Sequence, residues 1–442
     1  MRAGAEGGAV RRQRVVPAVA APAAALALLA LATAAARAQT AAPDLQAWWA
    51  AANPAALAEA TSQIVRSGPD FEDVYEALAA GRHYERDVPL GTLELTHTNR
   101  DGFLHRYILM VPASYDPSRS YPVRMYLHGG VFRPDPGAGG SWFRSPDRFA
   151  SEDHLVIAPL SWSETLWWQA HQVENLRGIL NDLKGTYNID ENRVHAMGVS
   201  DGGTGVYFLA FRDPTPWSSF LPFIGSPGVL MNPAVGADGR MHLGNLKNRP
   251  FFIVNGETDR LYPVSSIRPW LSSFDAIGVD YEFRPQQSGH DVSWWPSEAE
   301  RIDRFAAERR RDPHPESMVW ATESPEAYPR AHWLIIDELG STRGDAERDA
   351  LSAWVASADS GILWATREGN TVEVLAYQVR RFRVLVSPDA FDLTRPIRVE
   401  VNGSVAFDGL VSPSVETLLD WAGRDQDRTM LYAAELTLEP VR

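Results

Sequence analysis

The sequence predicts an α/β protein with a large, mostly parallel sheet, followed by a small β-rich region. Three observations lead to this fold class. Between residues 89 and 312, short apolar strand patterns alternate with helical patterns, which is typical of a parallel sheet with helices on both faces. A strand–turn–helix pattern surrounds Ser200. After the break at Pro313-His314-Pro315, the patterns are mostly those of strands.

Composition excludes several classes of function. The chain has 442 residues, 45% of them hydrophobic, which is enough for one large core or two smaller ones. Its net charge is −14, and the only basic run beyond the N-terminus, Arg309-Arg310-Arg311, has acidic neighbours, so no nucleic-acid partner is expected. Cysteine is absent, which excludes disulfides, thiolate metal sites and a cysteine nucleophile.

The N-terminus has the pattern of a signal peptide. Three arginines lie within residues 11–14, the apolar run Val15–Ala35 follows, and Ala36-Arg37-Ala38 supplies an A-x-A cleavage site. A membrane anchor is the alternative, but the run is mostly alanine, which is weakly hydrophobic. We therefore expect residues 1–38 to be removed and the protein to be secreted or periplasmic, with no membrane contact afterwards. The pattern does not distinguish Sec from twin-arginine export.

Residues 39–88 read as a helical lead-in. Asn53-Pro54 and Ser67-Gly68-Pro69 divide it into short helices. We expect it to pack on the main domain, which we place at residues 89–312.

Within the main domain, strands and helices alternate. The segments Gly91–Thr98 and Leu104–Val111 form a predicted hairpin. Further strands are predicted at Pro122–Leu127, Leu155–Pro159, Phe251–Asn255 and Tyr281–Arg284, and helices at Val173–Tyr187, Ile267–Ile277 and residues 297–312.

The motif Gly198-Val199-Ser200-Asp201-Gly202 lies between a short strand, Val194–Met197, and the start of a helix, Gly203–Ala210. This context favours a nucleophile elbow, in which a tight turn exposes the serine hydroxyl above the sheet. An ordinary glycine-rich turn is the alternative.

A nucleophilic serine needs a general base and an acid that orients the base. His290 follows the Tyr281–Arg284 strand, and Asp259 follows the Phe251–Asn255 strand. Because the carboxyl ends of parallel strands meet at one edge of a sheet, Ser200, Asp259 and His290 are the predicted triad. Glu257 and Asp291 are the spare carboxylates.

The oxyanion hole is predicted from backbone N–H groups. One donor is Asp201, the residue after the nucleophile, and the others are Gly129 and Gly130, which follow the Pro122–Leu127 strand. A structural Gly-Gly turn is the alternative.

Four tryptophans follow the carboxyl ends of strands on the side where Ser200 emerges: Trp167, Trp168, Trp294 and Trp295. For any single ring, packing within its loop is the simpler explanation. For the set, we expect at least one ring to wall the substrate cleft, where it would suit a flat aromatic group or a sugar face.

Residues 316–442 are predicted to form a C-terminal β-rich accessory domain. About seven strand patterns over roughly 125 residues are typical of a small sandwich. One helix is predicted at Gly344–Ala356. We expect this region to fold independently and to supply no triad residue.

Residues from about 90 to 300 resemble α/β-hydrolases of the secreted esterase type, namely the polyhydroxybutyrate-depolymerase-like and feruloyl-esterase-like groups. The pieces that carry the resemblance are RYILMVPASY, YLHGG, YNIDENRVHAMGVSDGG, NGETDRLYPV and SGHDVSWWP. The resemblance implies Ser200 as nucleophile, Asp259 as acid, His290 as base and the His128-Gly129-Gly130 loop as oxyanion site. It departs at Asp201, where many relatives carry Met, Gln or Ala.

The expected function is a secreted serine hydrolase that cleaves a carboxylic ester, small or polymeric, through an acyl-enzyme. No metal and no organic cofactor is expected. A serine peptidase of the same fold and a non-catalytic binding protein are the alternatives. Sequence reasoning leaves the identity of the substrate, the oligomeric state and the role of the C-terminal region open.

Overall fold

The computed structural model describes most of the chain after the lead sequence. The described residues are 45–51, 53–137, 139–143, 149–340 and 360–440. The predicted signal peptide, residues 1–38, and the predicted helix Gly344–Ala356 lie outside the described residues. None of the described helices combines the length and apolarity needed to cross a bilayer.

The largest sheet contains eight strands. These are Gly91–Thr98 (β1), Leu104–Val111 (β2), Tyr121–Leu127 (β3), Leu155–Pro159 (β4), Ile189–Val199 (β5), Ser219–Phe223 (β6), Phe251–Gly256 (β7) and Tyr281–Gln286 (β8). Their order is β1-β2-β4-β3-β5-β6-β7-β8. The strands β1 and β2 form an antiparallel hairpin, β2 is antiparallel to β4, and β3 to β8 run parallel.

The described helices are Gln46–Trp49 (α1), Pro54–Ser67 (α2), Phe71–Ala80 (α3), Ala170–Thr186 (α4), Asp201–Arg212 (α5), Val264–Ile277 (α6), Trp295–Glu308 (α7) and Val415–Asp425 (α8). Local chemistry starts several of them. The Asn53 side chain accepts the Ala56 N–H at the start of α2, and Asp70 accepts the Glu72 N–H at the start of α3.

Helices cover both faces of the large sheet. Successive side chains of a strand point to opposite faces, and both faces of a parallel sheet are buried. Met125, Ala196 and Ile253 belong to the core cluster that contains apolar residues of α4, α5 and α6. Their chain neighbours Tyr126, Met197 and Val254 belong to a second cluster with residues of α7.

Sequence patterns missed β6. All five of its residues are buried between β5 and β7, but Pro222 has no N–H to donate and is atypical of a central strand. Its position has a consequence for the site, because Phe223 at its end accepts the backbone N–H of Ser200 at 2.9 Å.

The C-terminal region forms two further sheets. Their strands are Ser317–Thr322 (β9), Arg330–Ala331 (β10), Leu334–Leu339 (β11), Gly361–Glu368 (β12), Thr371–Tyr377 (β13), Val379–Val386 (β14), Ile397–Val401 (β15), Ser404–Gly409 (β16) and Ala434–Leu438 (β17). The sheet orders are β10-β11-β14-β17 and β16-β15-β13-β12-β9. Together with the large sheet, this confirms the predicted fold class, an α/β-hydrolase fold followed by a β-rich region.

The C-terminal sheets share an apolar core with the large sheet. Trp320 and Leu334 lie in the same buried cluster as Phe211 and Phe251. The Asn245 amide adds polar links across the junction, since it donates to the Phe211 and Ala321 carbonyls and accepts the Ala321 N–H. Independent folding of residues 316–442 stays a prediction, but a chain ending near residue 312 would expose this core to solvent.

The lead-in helices pack on the C-terminal region, while the segment after them contacts the main domain, since Arg82 donates to the Gly185 carbonyl and Val88 packs against the main core. Trp48, Ile64 and Leu78 form a separate apolar cluster with Leu418 and Leu419 of α8. The N-terminal and C-terminal ends of the described chain therefore stabilise each other.

We expect Asp427→Asn to lower the free energy of unfolding by about 3–5 kcal/mol, the usual cost of leaving a buried charge unpaired. The carboxylate of Asp427 lies 2.6 Å from the Arg311 guanidinium, with both side chains at most 3% exposed. Burial alone would raise the pKa of Asp427, but Arg311 and Lys184 hold it below its ordinary value. Denaturant unfolding followed by tryptophan fluorescence measures the loss.

Asp408→Asn is the matched control, because Asp408 pairs with Arg398 at the surface and exposed pairs contribute little. Equal effects of the two substitutions would mean that the buried pair is not important for stability.

Candidate active site

Ser200 lies on a strained turn between β5 and α5. Its backbone angles are φ 57° and ψ −118°, a conformation that residues other than glycine rarely adopt. Strand and helix approach so closely that a Cβ atom at Gly198 would lie 2.3 Å from the Gly202 carbonyl oxygen. The turn therefore requires glycine at this position and presents the Ser200 hydroxyl at the carboxyl edge of the sheet.

The structure brings Ser200, His290 and Asp259 together in one hydrogen-bonded chain. The Ser200 Oγ lies 2.8 Å from His290 Nε2, and His290 Nδ1 lies 2.8 Å from Asp259 Oδ2. Asp259 is buried, whereas the side chain of His290 is 25% exposed. A carboxylate only accepts, so Nδ1 carries the proton of the neutral imidazole and Nε2 is left to accept from the serine hydroxyl.

The turn after β7 fixes the Asp259 carboxylate. Its Oδ1 accepts the Leu261 N–H at 2.7 Å and the Tyr262 N–H at 3.0 Å, which leaves Oδ2 for His290. The carboxylate thus accepts three hydrogen bonds and cannot rotate without losing them.

The spare carboxylates lie elsewhere. Glu257 is exposed. Asp291 is also exposed, and its Oδ1 accepts the Ser293 N–H in the turn that precedes α7. Neither is hydrogen-bonded to His290 in the described structure, so Asp259 is the carboxylate that orients the imidazole.

The glycine loop after β3 lies against the serine. A Cβ atom at Gly129 would lie 2.9 Å from both Ser200 Cβ and the Val199 carbonyl oxygen. The next residues behave differently from the prediction, because the Gly130 and Val131 N–H groups both donate to Asp201 Oδ2, at 2.9 and 3.0 Å. Gly130 is therefore wrong as an oxyanion donor in this structure, while Gly129 and the Asp201 N–H stay predictions.

His128 braces the same loop. Its Nδ1–H donates to the Gly129 carbonyl, and its Nε2 accepts the Ser161 N–H at 3.0 Å. Burial lowers the pKa of His128, which favours the neutral ring that this hydrogen-bond pattern requires. The Trp167 indole N–H donates to the His128 carbonyl at 2.9 Å.

Most of the predicted tryptophan wall is buried packing. Trp167 is 0% exposed, Trp168 is 3% exposed and Trp294 is 5% exposed. The Trp294 indole donates to the Asp291 carbonyl in its own loop, and the Trp168 indole donates to the carbonyl of Val235, which lies in a distant loop. The surfaces of these three rings are already covered, so the prediction that at least one ring walls the cleft now concerns Trp295.

Trp295 is half-buried and stays a candidate for ligand contact. It lines a cavity of about 260 Å³ between α7 and the sheet, together with Tyr126, Phe149 and Met197. Its ring also contacts the rings of Phe149 and Phe223 edge-on.

Sequence reasoning missed Tyr262. Its ring packs edge-on against His290, with the ring centres 5.6 Å apart. Burial, Asp201 and Asp259 raise the pKa of Tyr262 to about 12, so the phenol is neutral. The signal was present in the sequence, because Tyr262 follows Asp259 by three residues in the same loop.

No metal or cofactor was expected from the sequence. Within the described ranges, no three His, Asp or Glu side chains lie together in a way that could hold a metal ion.

Comparison with known proteins gives distant structural similarity only. No family model matches the chain, and no curated protein matches it either. Among solved structures, a thermostable esterase is 23% identical with a TM-score of 0.39, covering 50% of this chain and 63% of the esterase. Thermogutta terrifontis esterase 2 phosphorylated by paraoxon is 16% identical with a TM-score of 0.40, covering 49% of this chain and 94% of that one.

An acylaminoacyl peptidase from Pyrococcus horikoshii is similar to the same extent. It is 16% identical with a TM-score of 0.40, and the match covers 49% of this chain and 40% of the peptidase. These matches do not confirm the polyhydroxybutyrate-depolymerase type that the sequence motifs suggest. The fold assignment rests on the chain's own sheet order and elbow.

We expect Asp201→Ala to lower the kcat for a small activated ester by about 10²–10³, the usual cost of a lost oxyanion donor, because the glycine loop loses its acceptor. Asp201→Asn should stay within about tenfold of the parent, since its amide oxygen can accept the same two N–H groups. Steady-state kinetics measure both variants.

Labelling by a fluorophosphonate, which needs the reactive serine, provides a check on folding. If Asp201→Ala were as active as the parent, the carboxylate would have no role in holding the loop.

Proposed function

We propose that this chain, which has the α/β-hydrolase fold, is a serine hydrolase that cleaves a carboxylic ester through an acyl-enzyme. The observation that carries the proposal is the hydrogen-bonded chain from Ser200 through His290 to Asp259, at 2.8 Å for each contact. A serine hydroxyl alone is a weak nucleophile, and a positioned imidazole removes its proton as it attacks.

In the first step, Ser200 Oγ attacks the ester carbonyl carbon while its proton passes to His290 Nε2. The imidazole becomes positively charged beside the Asp259 carboxylate, which stabilises that charge without taking the proton. The bonds from Leu261 and Tyr262 keep Asp259 in place during this change.

The carbonyl oxygen gains negative charge in the tetrahedral intermediate. The Asp201 N–H is at the first position of α5, where N–H groups have no acceptor within the helix. The positive end of the helix dipole points to the same place. The backbone N–H groups of Asp201 and Gly129 are the two donors that such an intermediate needs.

Collapse of the intermediate breaks the ester C–O bond. His290 gives its proton to the leaving alkoxide, so the alcohol departs neutral and the acyl group stays on Ser200. A water molecule then attacks the acyl carbon, its proton goes to His290, and the acid is released as Ser200 regains its hydrogen. The balance needs water and no other reactant.

The same triad geometry can cleave amides as well as esters. The ester proposal therefore states that the leaving group is an alcohol and not an amine. We propose that the substrate is a small or polymeric ester. We further propose that the protein is exported, on the evidence of residues 1–38 alone.

We expect Ser200→Ala to lose all but about 10⁻³ of the parent's hydrolysis, since removal of the nucleophile usually costs at least this much. The assay uses matched aryl esters and aryl amides that carry the same acyl group. Faster amide hydrolysis by the parent would favour a peptidase over an esterase. Retention of the parent's activity by Ser200→Ala would remove Ser200 as the nucleophile.

A second prediction separates the two carboxylates after β7. Asp259→Asn should lower kcat by about 10⁴, because the amide stabilises the wrong imidazole tautomer. Glu257→Gln, the exposed control two residues away, should change kcat little. The opposite result would assign the orienting role to Glu257.

A further inference from the structure

One face of the five-stranded C-terminal sheet contains a hollow that the proposed hydrolysis does not use. Its volume is about 420 Å³, within the usual range for ligand sites. It is lined by residues of three neighbouring strands: Trp364 and Thr366 from β12, Glu373 and Leu375 from β13, and Glu400 from β15.

Strand register arranges these side chains as two parallel rows. Thr366 is opposite Glu373, and Glu373 is opposite Glu400, so three hydrogen-bonding groups lie side by side about 5 Å apart. In the next row, Trp364 is opposite Leu375. Leu375 is 37% exposed, although it is apolar, and the intervening residues of both strands are buried.

The two ends of the hollow are already braced. Arg398 binds the Glu400 carboxylate at 2.7 Å, so this carboxylate has a fixed position. The Lys247 ammonium lies 5.4 Å from the centre of the Trp364 ring, a cation–π contact that restrains the indole. A ligand would therefore meet side chains that need little reordering, which lowers the entropic cost of binding.

We propose that this hollow binds a neutral carbohydrate chain. A sugar ring has a face of C–H groups, which packs on an indole ring or an apolar side chain, and hydroxyl groups around its edge, which donate to carboxylates. An apolar row beside a row of carboxylates and a hydroxyl matches both features at once. Of the two carboxylates, Glu373 is exposed to solvent.

Charge argues against other occupants. A fatty acid or a nucleic acid would bring negative charge to Glu373 and Glu400 on a chain whose net charge is −14. A basic peptide would have to compete with Arg398 for Glu400. A neutral ligand meets neither obstacle.

The hollow is separate from the triad. The C-terminal sheets meet the large domain at the far end of α5, where Arg212 forms an ion pair with Glu323. Arg212 is the twelfth residue of α5, so this contact lies about 18 Å along the helix from Ser200. The hollow itself meets the large domain at Lys247, which precedes β7, whereas Asp259 follows β7. The carbohydrate site is therefore independent of the proposed hydrolysis and does not depend on that proposal.

Affinity electrophoresis of the full chain in native gels tests the proposal, with xylan, glucomannan and mixed-linkage β-glucan as neutral polysaccharides. We expect at least one of them to retard the protein. Trp364→Ala and Glu373→Ala should each weaken this retardation about tenfold, the upper range for an aromatic contact. Trp364→Phe should restore part of it.

Glu416→Gln on α8, an exposed site outside the hollow, is the matched control and should bind as the parent does. Hydrolysis of a small ester should be unchanged in all these variants, so the outcome is independent of the esterase test. Glu373 is exposed, so Glu373→Ala stays informative even if Trp364→Ala is unstable.

Three results would overturn the proposal. The first is no retardation by any neutral polysaccharide. The second is retardation only by anionic polygalacturonate or cationic chitosan. The third is unchanged glycan binding by Trp364→Ala and Glu373→Ala.

Discussion

The backbone reversal at Ser200 is the constraint on which the rest of the site depends. Ser200 has a φ of 57°, an unfavourable conformation that persists only because the surrounding structure constrains the backbone there. A Cβ atom at Gly202 would lie 2.0 Å from the Leu127 carbonyl oxygen at the end of β3. Gly202 therefore allows the start of α5 to pack directly against the end of β3, the strand that precedes the glycine loop. This close contact places the Ser200 turn beside the glycine loop.

Asp201 links these two parts, and it does so at an electrostatic cost. A carboxylate beside a developing oxyanion disfavours the negative charge that the site must stabilise. Two N–H donors and the N-terminus of α5 offset that cost, because they disperse the charge of the carboxylate. These hydrogen bonds link the glycine loop to the Ser200 turn, although the two are about 70 residues apart in the sequence. A Met or Ala side chain at this position could not accept these two N–H groups.

The C-terminal sheets are part of the same folded body as the large sheet. Apolar packing supplies most of the stability, while buried polar contacts such as Arg311 with Asp427 select one relative arrangement, since an unpaired buried charge is costly. The lead-in helices add to this arrangement from the other end of the chain. One face of the five-stranded sheet contains a hollow, in which Trp364 and Leu375 lie beside Glu373 and Glu400.

By itself, the sequence determined what local pattern can carry. Strand–helix alternation predicted the fold class, and the position of Ser200, Asp259 and His290 after successive strands predicted their meeting, because parallel strands end at one edge. Tertiary structure alone decided that the Gly130 N–H is already used, that Trp167 is buried and that β6 forms despite Pro222. Each of these depends on contacts between residues far apart along the chain. No local pattern records such contacts, because the same residues could satisfy their hydrogen bonds and bury their surfaces in other ways.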